Sequence, residues 1–446
     1  MRRTTLLVTC LVLALVPVAL RAQESKPSVD PFTKEAVAET LGHIASDAMG
    51  GRNTPSAELD DCAEFLAKAL KEAGIAPGAK DGSYFHRYSL DGIRLDNAAA
   101  KVSIAGASGP KVLEPEAEFR LWRGSAKWQG EAAAPLRIKE GEKAPVDLRR
   151  TAATTPIFVE VDAGSPLWKA AAGGRAMLAR RLSRSVVPVL LVRAGVLPEG
   201  ELTATVSIGD AKASKFELRN VVGKMPGTEL AGEHVLYSAH YDHIGLDVGG
   251  EDSIFNGADD DGSGTTAVLQ IARAVGRSKP AIKRSLLFVF FSGEEQGLLG
   301  SRAFADDPPV DLASIAVNLN LEMLGRPPKE KRMHCWVTGR TLSDFETVVT
   351  GAVKARGIAT WAFGMEGQLF QASDNASLAR KGVVAHSISS SELHEDYHGA
   401  NDEVDRIDFE HMAAVISGIH EAGLEFANRS ERPVYNEKGK KLLKLP

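Results

Sequence analysis

The sequence predicts an α/β fold built on a largely parallel sheet that helices cover on both faces, with a small β-rich domain inserted into it. From about Arg219 onward, apolar strands alternate with helices, which is the pattern typical of such a sheet. One of these strands, 285–291, is almost wholly apolar, as expected when both of its faces are buried. Residues 92–215 lack the alternation. A chain of 446 residues exceeds one ordinary core, so about two or three domains are expected.

The first element, residues 1–22, is predicted to be a secretory signal peptide. Arg2 and Arg3 form a basic start, and the apolar run from Leu6 to Leu20 is too short to span a bilayer comfortably. Ala22 would be the last residue before cleavage. We therefore expect a secreted or periplasmic protein that keeps no membrane attachment once the signal is removed. An uncleaved membrane anchor is the alternative.

The next segment, 23–91, should form the N-terminal part of the main domain. A helix is predicted over 60–73, where Gly74 is placed to end it, and a strand over 84–90. The apolar face of that helix comprises Cys62, Phe65, Leu66, Ala69, Leu70 and Ala73. The inserted domain, 92–215, is rich in Ala, Gly, Lys and Glu, carries strand-like runs at 157–161 and 186–192, and contains no chemical motif.

The rest of the main domain, 216–428, should alternate strands with helices. The predicted strands are 235–239, 285–291, 315–321 and 383–388. The predicted helices are 263–277, 343–354 and 408–426. The tail, 429–446, is polar and is expected to be loose.

Composition and charge exclude some classes of protein. A hydrophobic content of 44% and a charged content of 25% are ordinary for a soluble globular chain. The formal net charge is -5, so a basic nucleic-acid surface is not indicated. Outside the signal only Cys62 and Cys335 remain, too few and too distant for a disulfide framework, and Cys62 is expected to be a buried thiol.

Five short segments between positions 240 and 398 carry the chemistry. They supply two imidazoles, three carboxylates suited to metal binding, and one further glutamate, a set that suits two zinc ions and a general base. Four of the segments lie at or just after the predicted carboxyl ends of strands, where functional residues of such sheets collect. The segments are His240-Tyr-Asp242, Gly257-Ala-Asp-Asp-Asp-Gly-Ser-Gly264, Ser292-Gly-Glu294-Glu295, Asn320-Leu-Glu322-Met and Tyr397-His398.

Two of these segments would place a carboxylate beside a ligand. Asp242 lies two residues after His240 and could hydrogen-bond its second ring nitrogen. Three aspartates crowd the glycine-bordered loop, and like charges so close repel unless a cation neutralises them. We expect Asp260 to bridge the two metals, while Asp259 or Asp261 caps the following helix.

The remaining segments divide acid, base and ligand roles. Glu295 is expected to bind metal while the adjacent Glu294 takes the proton of the attacking water and passes it to the leaving amine. Glu322 is either a terminal ligand or the ion-pair partner of Arg326. Tyr397 could donate a hydrogen bond to a developing oxyanion.

The histidines in and just before the last segment leave two choices. His394 and His398 would share one face of a helix, but Gly399 and Asn401 favour a loop there. The other histidines, among them His243, have no comparable company and are expected to play structural roles.

Together these segments resemble the co-catalytic di-zinc exopeptidases, a family that includes aminopeptidase Y, secreted bacterial leucyl aminopeptidases and glutamate carboxypeptidase, with transferrin receptors and glutaminyl cyclases as relatives. The resemblance covers roughly residues 219–426, and the order and spacing of the five segments both fit. It rests on Ser238-Ala-His-Tyr-Asp-His-Ile-Gly245, Gly257-Ala-Asp-Asp-Asp-Gly-Ser-Gly264, Phe291-Ser-Gly-Glu-Glu-Gln-Gly-Leu-Leu-Gly-Ser301, Asn318-Leu-Asn-Leu-Glu-Met-Leu-Gly-Arg326 and Glu395-Asp-Tyr-His398.

The resemblance implies a three-layer α/β/α zinc-exopeptidase sandwich with a mixed, mainly parallel sheet and two zinc ions per chain. One zinc would be held by His240, Asp260 and Glu322. The other would be held by Asp260, Glu295 and His398, the last chosen because the family's histidine often follows a tyrosine. Glu294 is implied as general base and acid, and Asp242 as the support of His240. The insert occupies the position where many members carry a protease-associated domain.

The chain departs from the family at a few positions. Glutamate stands at 322 where members usually have aspartate, which lengthens the ligand by one methylene. Asn256 precedes the aspartate loop where proline is common, and Ser373-Asp374-Asn375 matches a Ser-Asp patch that often continues with histidine.

The expected function is that of a secreted zinc aminopeptidase acting on peptides. Three alternatives remain at this stage. A carboxypeptidase of the same family would need a basic group for the substrate carboxylate, for which Arg326 or Arg380 is available. A mono-zinc glutaminyl cyclase needs only three ligands, and an inactive binding module would usually have lost some.

Overall fold

The computed structural model describes residues 31–124, 128–145, 155–178 and 188–445. The predicted signal peptide lies outside these residues, as do the first two positions of the strand predicted over 186–192. The helices are α1 (Lys34–Ile44), α2 (Ala57–Glu72), α3 (Pro166–Ala170), α4 (Gly264–Ser278), α5 (Leu299–Asp306), α6 (Phe345–Lys354), α7 (Glu366–Leu369), α8 (Asn375–Ala379), α9 (Phe409–Asn428) and α10 (Glu437–Leu443).

Twenty strands belong to the described residues. In chain order they are β1 (Ala76–Pro77), β2 (Phe85–Arg94), β3 (Lys101–Gly106), β4 (Gly109–Val112), β5 (Phe119–Arg123), β6 (Trp128–Ala133), β7 (Leu136–Lys139), β8 (Ile157–Val161), β9 (Ala176–Leu178), β10 (Val189–Arg193), β11 (Thr203–Ile208), β12 (Lys212–Met225), β13 (Leu230–His240), β14 (Gly245–Leu246), β15 (Ile254–Phe255), β16 (Arg284–Phe291), β17 (Ile315–Leu321), β18 (His334–Val337), β19 (Ala359–Thr360) and β20 (Ala385–Ser389).

A ten-stranded mixed sheet forms the centre of the main domain, in the order β19-β18-β20-β17-β13-β16-β12-β2-β9, with β1 paired to β12. Its middle strands β16, β13, β17 and β20 are parallel, while β12, β2 and β9 continue it antiparallel. Every residue of β16 and β17 is buried, because both faces of these strands are covered. The parallel centre matters for the site, since it brings the carboxyl ends of neighbouring strands to one edge.

Two groups of helices cover the sheet. Helices α1, α2, α4, α6 and α9 pack in one connected group, of which α4 and α9 contact β13 and β16. Helices α5 and α8 pack against each other, and they contact β12, β17 and β20. Side-chain caps fix where the two long helices begin: Ser56 accepts a hydrogen bond from the Leu59 amide, and Asp408 accepts one from the His411 amide. The result is the expected α/β/α sandwich.

The inserted segment forms two four-stranded sheets, β5-β10-β8-β7 and β4-β3-β11-β6. One apolar cluster fills the space between them, with Phe119, Leu190 and Val206 fully buried. A second cluster lies on the outer face of the first sheet and takes in Val248 and Ile254, which belong to the loop between His243 and Gly257. Long antiparallel strands β2 and β12 connect the insert to the main sheet.

Most predicted elements agree with the structure to within a few residues at each end. The strand over 315–321 and the strand over 157–161 have the same bounds in both. The expectation of a loose tail is wrong. Helix α10 lies within it, Asn436 caps that helix, and the Tyr435 hydroxyl bonds the main chain of Ala385. The tail is short and polar, so it lacks the apolar periodicity that would have predicted a packed helix.

Cys62 and Cys335 are both buried free thiols, as expected for Cys62. Burial raises the pKa of each to about 12, so neither is a reactive thiolate at neutral pH. Among the residues that the structure describes, no helix is long and apolar enough to cross a membrane.

Candidate metal centre

The predicted site residues meet at the carboxyl edge of three adjacent parallel strands. His240 is the last residue of β13, Glu294 and Glu295 follow β16, and Glu322 follows β17 directly. Because these strands are neighbours in the sheet, their ends deliver the four side chains to one place. Asp260 and His398 reach the same place from the loops before α4 and after β20.

Asp260 lies between two sets of donors. Its Oδ1 atom is 3.3 Å from His240 Nε2, which in turn is 3.6 Å from Glu322 Oε2. Its Oδ2 atom is 3.1 Å from His398 Nε2, which is 3.3 Å from Glu295 Oε1. One carboxylate therefore contributes an oxygen to each set, as a bridging ligand would.

Zinc ligands at about 2.0–2.2 Å from a common ion lie roughly 3.3–3.6 Å from one another in tetrahedral geometry. The separations between imidazole and carboxylate atoms in both sets, 3.1 to 3.6 Å, are close to that range. The nitrogen and carboxylate donors are also those that zinc prefers. The residues present thus fit a pair of zinc ions.

The other two aspartates of the loop bind the main chain. Asp261 accepts hydrogen bonds from the amides of Gly264 at 3.0 Å, Met323 at 3.1 Å and His240 at 3.3 Å. Its oxygens also lie within 4.8 Å of donors on His240 and Glu322. Since three amides already engage them, Asp260 is the better ligand on this side. Asp261 caps α4, as one of the sequence-based alternatives proposed.

Asp259 and Asp402 complete the support of this loop. Asp259 accepts a hydrogen bond from the Gly325 amide at 2.7 Å, and it lies 3.3 Å from His394 Nε2. Asp402 accepts hydrogen bonds from the amides of Asp259 and Asp260 at 3.0 to 3.1 Å. His394 therefore lies beside Asp259, whereas His398 faces Asp260. Sequence analysis did not identify Asp402, because a lone aspartate in a polar loop carries no signal.

The support of His240 differs from the expectation. Its Nδ1 atom is 3.0 Å from the main-chain oxygen of Asp242, while the nearest carboxylate oxygen of Asp242 is 3.8 Å away. That carboxylate instead accepts hydrogen bonds from the Glu294 amide at 3.0 Å and the Thr54 hydroxyl at 3.1 Å. Asp242 therefore orients His240 through its main chain and Glu294 through its side chain. Burial raises the pKa of Asp242 to about 6.

One histidine joins the cluster that sequence analysis left aside. His243 is fully buried, and its Nδ1 atom is 3.0 Å from Glu295 Oε1 and 4.0 Å from Asp260 Oδ2. The available signal was its position three residues after His240 in the loop at the end of β13. Judged alone it resembled an ordinary turn histidine.

The carboxylates and imidazoles strongly perturb one another. Burial alone would raise the pKa of Asp260, but contacts with His240 and His398 lower it well below its usual range. Burial would lower the pKa of His398, yet Asp260 and Glu295 raise it to about 10. These opposed shifts follow from the close approach of imidazoles to carboxylates in a buried site.

The pKa values of Glu294 and Tyr397 are both raised. Burial raises the pKa of Glu294 well above its usual range, and the charge of Asp374 adds to the shift. Burial and the neighbouring carboxylates of Asp260 and Glu295 raise the pKa of Tyr397. The ring of Tyr397 stacks on His398, with centroids 3.9 Å apart. Both groups can therefore carry a proton beside the cluster.

Both carboxylate oxygens of Glu322 make contacts in the site. Its Oε1 atom accepts hydrogen bonds from Asn320 Nδ2 at 3.0 Å and from the Ser373 hydroxyl, while Oε2 faces His240. Ser373 belongs to the Ser-Asp patch noted in the sequence, so that patch contacts the ligand set. Arg326 pairs with Asp396 at 2.8 Å and not with Glu322, which removes the ion-pair alternative for Glu322.

A pocket of about 570 Å³, partly open to solvent, adjoins the cluster. Its apolar wall is formed mainly by Met323, Trp336, Phe363 and Leu369. Trp336 and Phe363 stack with centroids 4.7 Å apart, and the Trp336 indole donates a hydrogen bond to the Ser391 main chain at 3.0 Å. Its charged lining consists of carboxylates and His240, and no described lysine or arginine lines it.

Comparison with known proteins finds similarity to peptidases. The model of peptidase family M28 matches residues 220–422. A "Probable leucine aminopeptidase" of Trichophyton verrucosum is 28% identical over 211 residues, which are 45% of this chain and 55% of the relative. One of Arthroderma otae is 29% identical over 220 residues, 46% of this chain and 57% of the relative. The chain spans about half the length of these curated relatives.

Two solved structures share the fold across most of the chain. The zinc aminopeptidase BSAP from Bacillus subtilis superposes with a TM-score of 0.56 at 18% identity, covering 90% of this chain and 97% of that one. An aminopeptidase from Aneurinibacillus sp. strain AM-1 superposes with a TM-score of 0.51 at 17% identity, covering 90% and 95%. At such identities the likeness concerns the fold.

Proposed function

We propose that this chain, whose residues 220–422 match the model of peptidase family M28, is a zinc aminopeptidase that removes N-terminal residues from peptides. The observation that carries the proposal is the position of Asp260, whose two carboxylate oxygens face separate sets of donors at 3.1 and 3.3 Å. His240 and Glu322 complete one set, and Glu295 and His398 complete the other. Zinc held there would polarise the scissile carbonyl and lower the pKa of a bound water toward about 7.

The chain's own residues supply the proton transfers. Glu294 lines the pocket beside the cluster, and its amide is held by Asp242. In its ionised form Glu294 accepts a proton from the attacking water and then donates it to the departing amine, and its raised pKa favours the second step. The Tyr397 hydroxyl donates a hydrogen bond to the oxyanion as it develops.

The charge of the pocket supports amino-terminal over carboxy-terminal specificity. The exposed Glu392 lines it and suits an ammonium group, whereas a substrate carboxylate needs a cation. Arg326 is committed to Asp396, and Arg380 is not part of the lining. The apolar wall with Trp336 and Phe363 favours a bulky apolar first residue.

Two other functions receive less support. A mono-zinc glutaminyl cyclase leaves no role for Asp260 between two sets of donors. An inactive binding module would tolerate lost ligands, and all five proposed ligands are present. From the sequence of residues 1–22 we further propose that the enzyme acts outside the cytoplasm, on peptide substrates.

A panel of aminoacyl-anilides with zinc content measured on the same sample tests the function. We expect hydrolysis that is fastest for bulky apolar residues, is abolished by chelation and is restored by zinc. The matched panel of N-acyl peptides with free carboxyl termini should not be cleaved. Cleavage of that second panel alone would identify a carboxypeptidase, and cyclisation of a glutamine-headed peptide without hydrolysis would identify a cyclase.

A further inference from the structure

His243 is buried without satisfying its ring nitrogens. It is fully buried, and neither Nδ1 nor Nε2 has a hydrogen-bond partner among the described residues. Glu295 Oε1 and Asp260 Oδ2, the two oxygens that Nδ1 faces, lack hydrogen-bond partners as well. Buried polar atoms left unpaired are rare and costly, so three of them facing one point require a partner of another kind.

The contact between His243 Nδ1 and Glu295 Oε1 is short, but it is not a hydrogen bond. The two atoms are 3.0 Å apart, yet their geometry does not meet the angular requirement of a hydrogen bond. Donors of a common zinc ion show this arrangement, since their lone pairs point at the ion and not at each other. The donor atoms of His243, Asp260 and Glu295 all lie within 4.8 Å of one another.

His243 and His398 approach the same two carboxylate oxygens. His398 Nε2 lies 3.1 Å from Asp260 Oδ2 and 3.3 Å from Glu295 Oε1, the atoms that His243 Nδ1 also faces. The two imidazole rings meet edge to face, with centroids 6.0 Å apart. With His243 included, the second set of donors consists of two imidazoles and two carboxylates.

The imidazole of His243 is held in place by its surroundings. Gly257 has a positive φ of 57°, and a Cβ atom there would come within 2.4 Å of the His243 ring. The main-chain amide of His243 donates to the Arg52 carbonyl, and the Arg52 guanidinium binds the carbonyls of Asn256 and Gly257. Because backbone positions on both sides of the ring are fixed, the donor is preorganised.

We infer that His243 is a protein ligand of the metal held by Asp260, Glu295 and His398. This inference rests on the proposed two-metal site and extends it. The second metal then has four protein ligands, whereas the first has three, from His240, Asp260 and Glu322. Four protein ligands are typical of tightly held zinc, and three leave a position open. The second metal should bind first and leave last.

Two variants test whether His243 is a metal ligand or only a hydrogen-bond donor. His243→Ala removes the imidazole, while His243→Asn keeps an N–H donor near the position of Nδ1 but no imidazole lone pair. We expect both variants to keep the first zinc and to bind the second at least about 100-fold more weakly. Loss of a residue that only supports a ligand typically weakens metal binding by about 10- to 100-fold. Zinc titration with a competing chelator measures both constants.

The matched control is His420→Asn, which alters a buried histidine on α9 and should retain both zinc ions. Retention of the first zinc in the His243 variants shows that they are folded. If His243→Asn binds both ions as the wild type does, His243 is only a donor to Glu295 and the inference is overturned. Unchanged binding in His243→Ala overturns it also.

X-ray absorption of the unaltered protein gives a second test that needs no variant. At one zinc per chain, we expect two imidazoles on the metal, from His243 and His398, and a single imidazole would contradict the inference. A wild-type protein that never binds more than one zinc would instead count against the two-metal function itself, so the two failures are distinguishable.

Discussion

At the scale of single residues, Glu294 and Glu295 are adjacent in the chain and have opposite environments. Contacts with the imidazoles of His243 and His398 outweigh burial and lower the pKa of Glu295 to about 2, whereas burial raises that of Glu294. One carboxylate is thus kept ionised as a ligand and its neighbour is prepared to carry a proton. Neighbouring titratable groups whose pKa values are pushed apart in this way are typical of acid-base catalysis.

Glu294→Gln should abolish proton transfer while leaving the metal ligands in place. We expect kcat to fall by about 10²- to 10⁴-fold with the zinc content unchanged, since general acid-base catalysis contributes that range. Steady-state kinetics on the best anilide and metal analysis of the same sample provide the measurement. A variant with near wild-type kcat would rule out Glu294 as the proton carrier.

Glu322→Asp restores the residue usual in the family and should nonetheless weaken this site. The shorter side chain cannot keep its contacts with Asn320 and Ser373 while facing His240. We expect the first zinc to bind about 10- to 100-fold more weakly, the cost typical of disturbed ligand support. Zinc titration measures the loss.

Ser373→Ala provides the control for that prediction. It should weaken the first zinc in the wild type and have little further effect beside Asp at position 322, because the shortened side chain has already lost the contact. Additive effects of the two changes would show that Ser373 acts on something other than Glu322.

Site residues at the ends of strands could be identified from the sequence, whereas contacts that depend on the paths of loops could not. Glu322 was found because it follows an apolar strand. The role of the Asp242 main chain could not be seen, because side-chain spacing does not determine which atom of a residue approaches His240. His243 was missed because its significance depends on Glu295, 52 positions away, turning toward it.

At the scale of elements, Arg52 connects the N-terminal segment to the loop of the metal centre. The side chain is fully buried and donates hydrogen bonds to four main-chain carbonyls, those of Ile44, Tyr241, Asn256 and Gly257. Its position after α1 and before α2 brings chain segments about 200 residues apart into one network. Nothing in the sequence near Met49–Arg52 predicted this role.

Arg52→Met should destabilise the protein strongly. Leaving several buried carbonyls without donors costs about 1–3 kcal/mol each, so we expect the free energy of unfolding to fall by more than about 3 kcal/mol. Arg52→Lys should recover only part, because an ammonium group cannot span four carbonyls. Urea unfolding measures both.

Arg87→Met is the comparison, since its ion pair with Glu217 is exposed and such pairs contribute about 0–1 kcal/mol. Equal losses in the Arg52 and Arg87 variants would contradict a special role for Arg52.

The strands and helices of the main domain were largely predictable, whereas in the insert only the strands over 157–161 and 186–192 were predicted. Strand β16 is apolar throughout, which signals burial on both faces. Strands β3 and β11 of the insert alternate polar and apolar residues, but they pair across about 100 positions of the chain. Its two sheets therefore depend on contacts that local patterns do not encode.

At the scale of the whole molecule, buried histidines should make the fold sensitive to acid. Burial lowers the pKa to about 4 for four of them, listed here in chain order: His234, His386, His411 and His420. In the unfolded chain histidine has a pKa of about 6.5. The stability they contribute is therefore complete above pH 6.5 and is lost as the pH falls toward 4, because the unfolded state binds protons that the folded state refuses.

His420→Gln isolates one of these contributions. Between pH 6.5 and 4.5 the variant should lose about 2 kcal/mol less than the wild type in the free energy of unfolding. The variant is compared with the wild type because buried acids also change the stability in this pH range. Asp374, whose pKa burial raises to about 7, does so in the opposite direction. Urea unfolding at several pH values gives both curves. A His420→Gln curve parallel to the wild type would contradict the prediction.

The aromatic wall of the pocket has an optical consequence. The chain contains five tryptophans, of which Trp336 lines the pocket and Trp361 contacts Phe363 in the same wall. The other three, Trp122, Trp128 and Trp168, belong to the insert. A peptide that enters the pocket displaces water from the Trp336 indole and so should change its emission. The molecule thus carries an intrinsic fluorescent reporter of occupancy, and replacing the three insert tryptophans by phenylalanine would leave a signal that comes from the active centre alone.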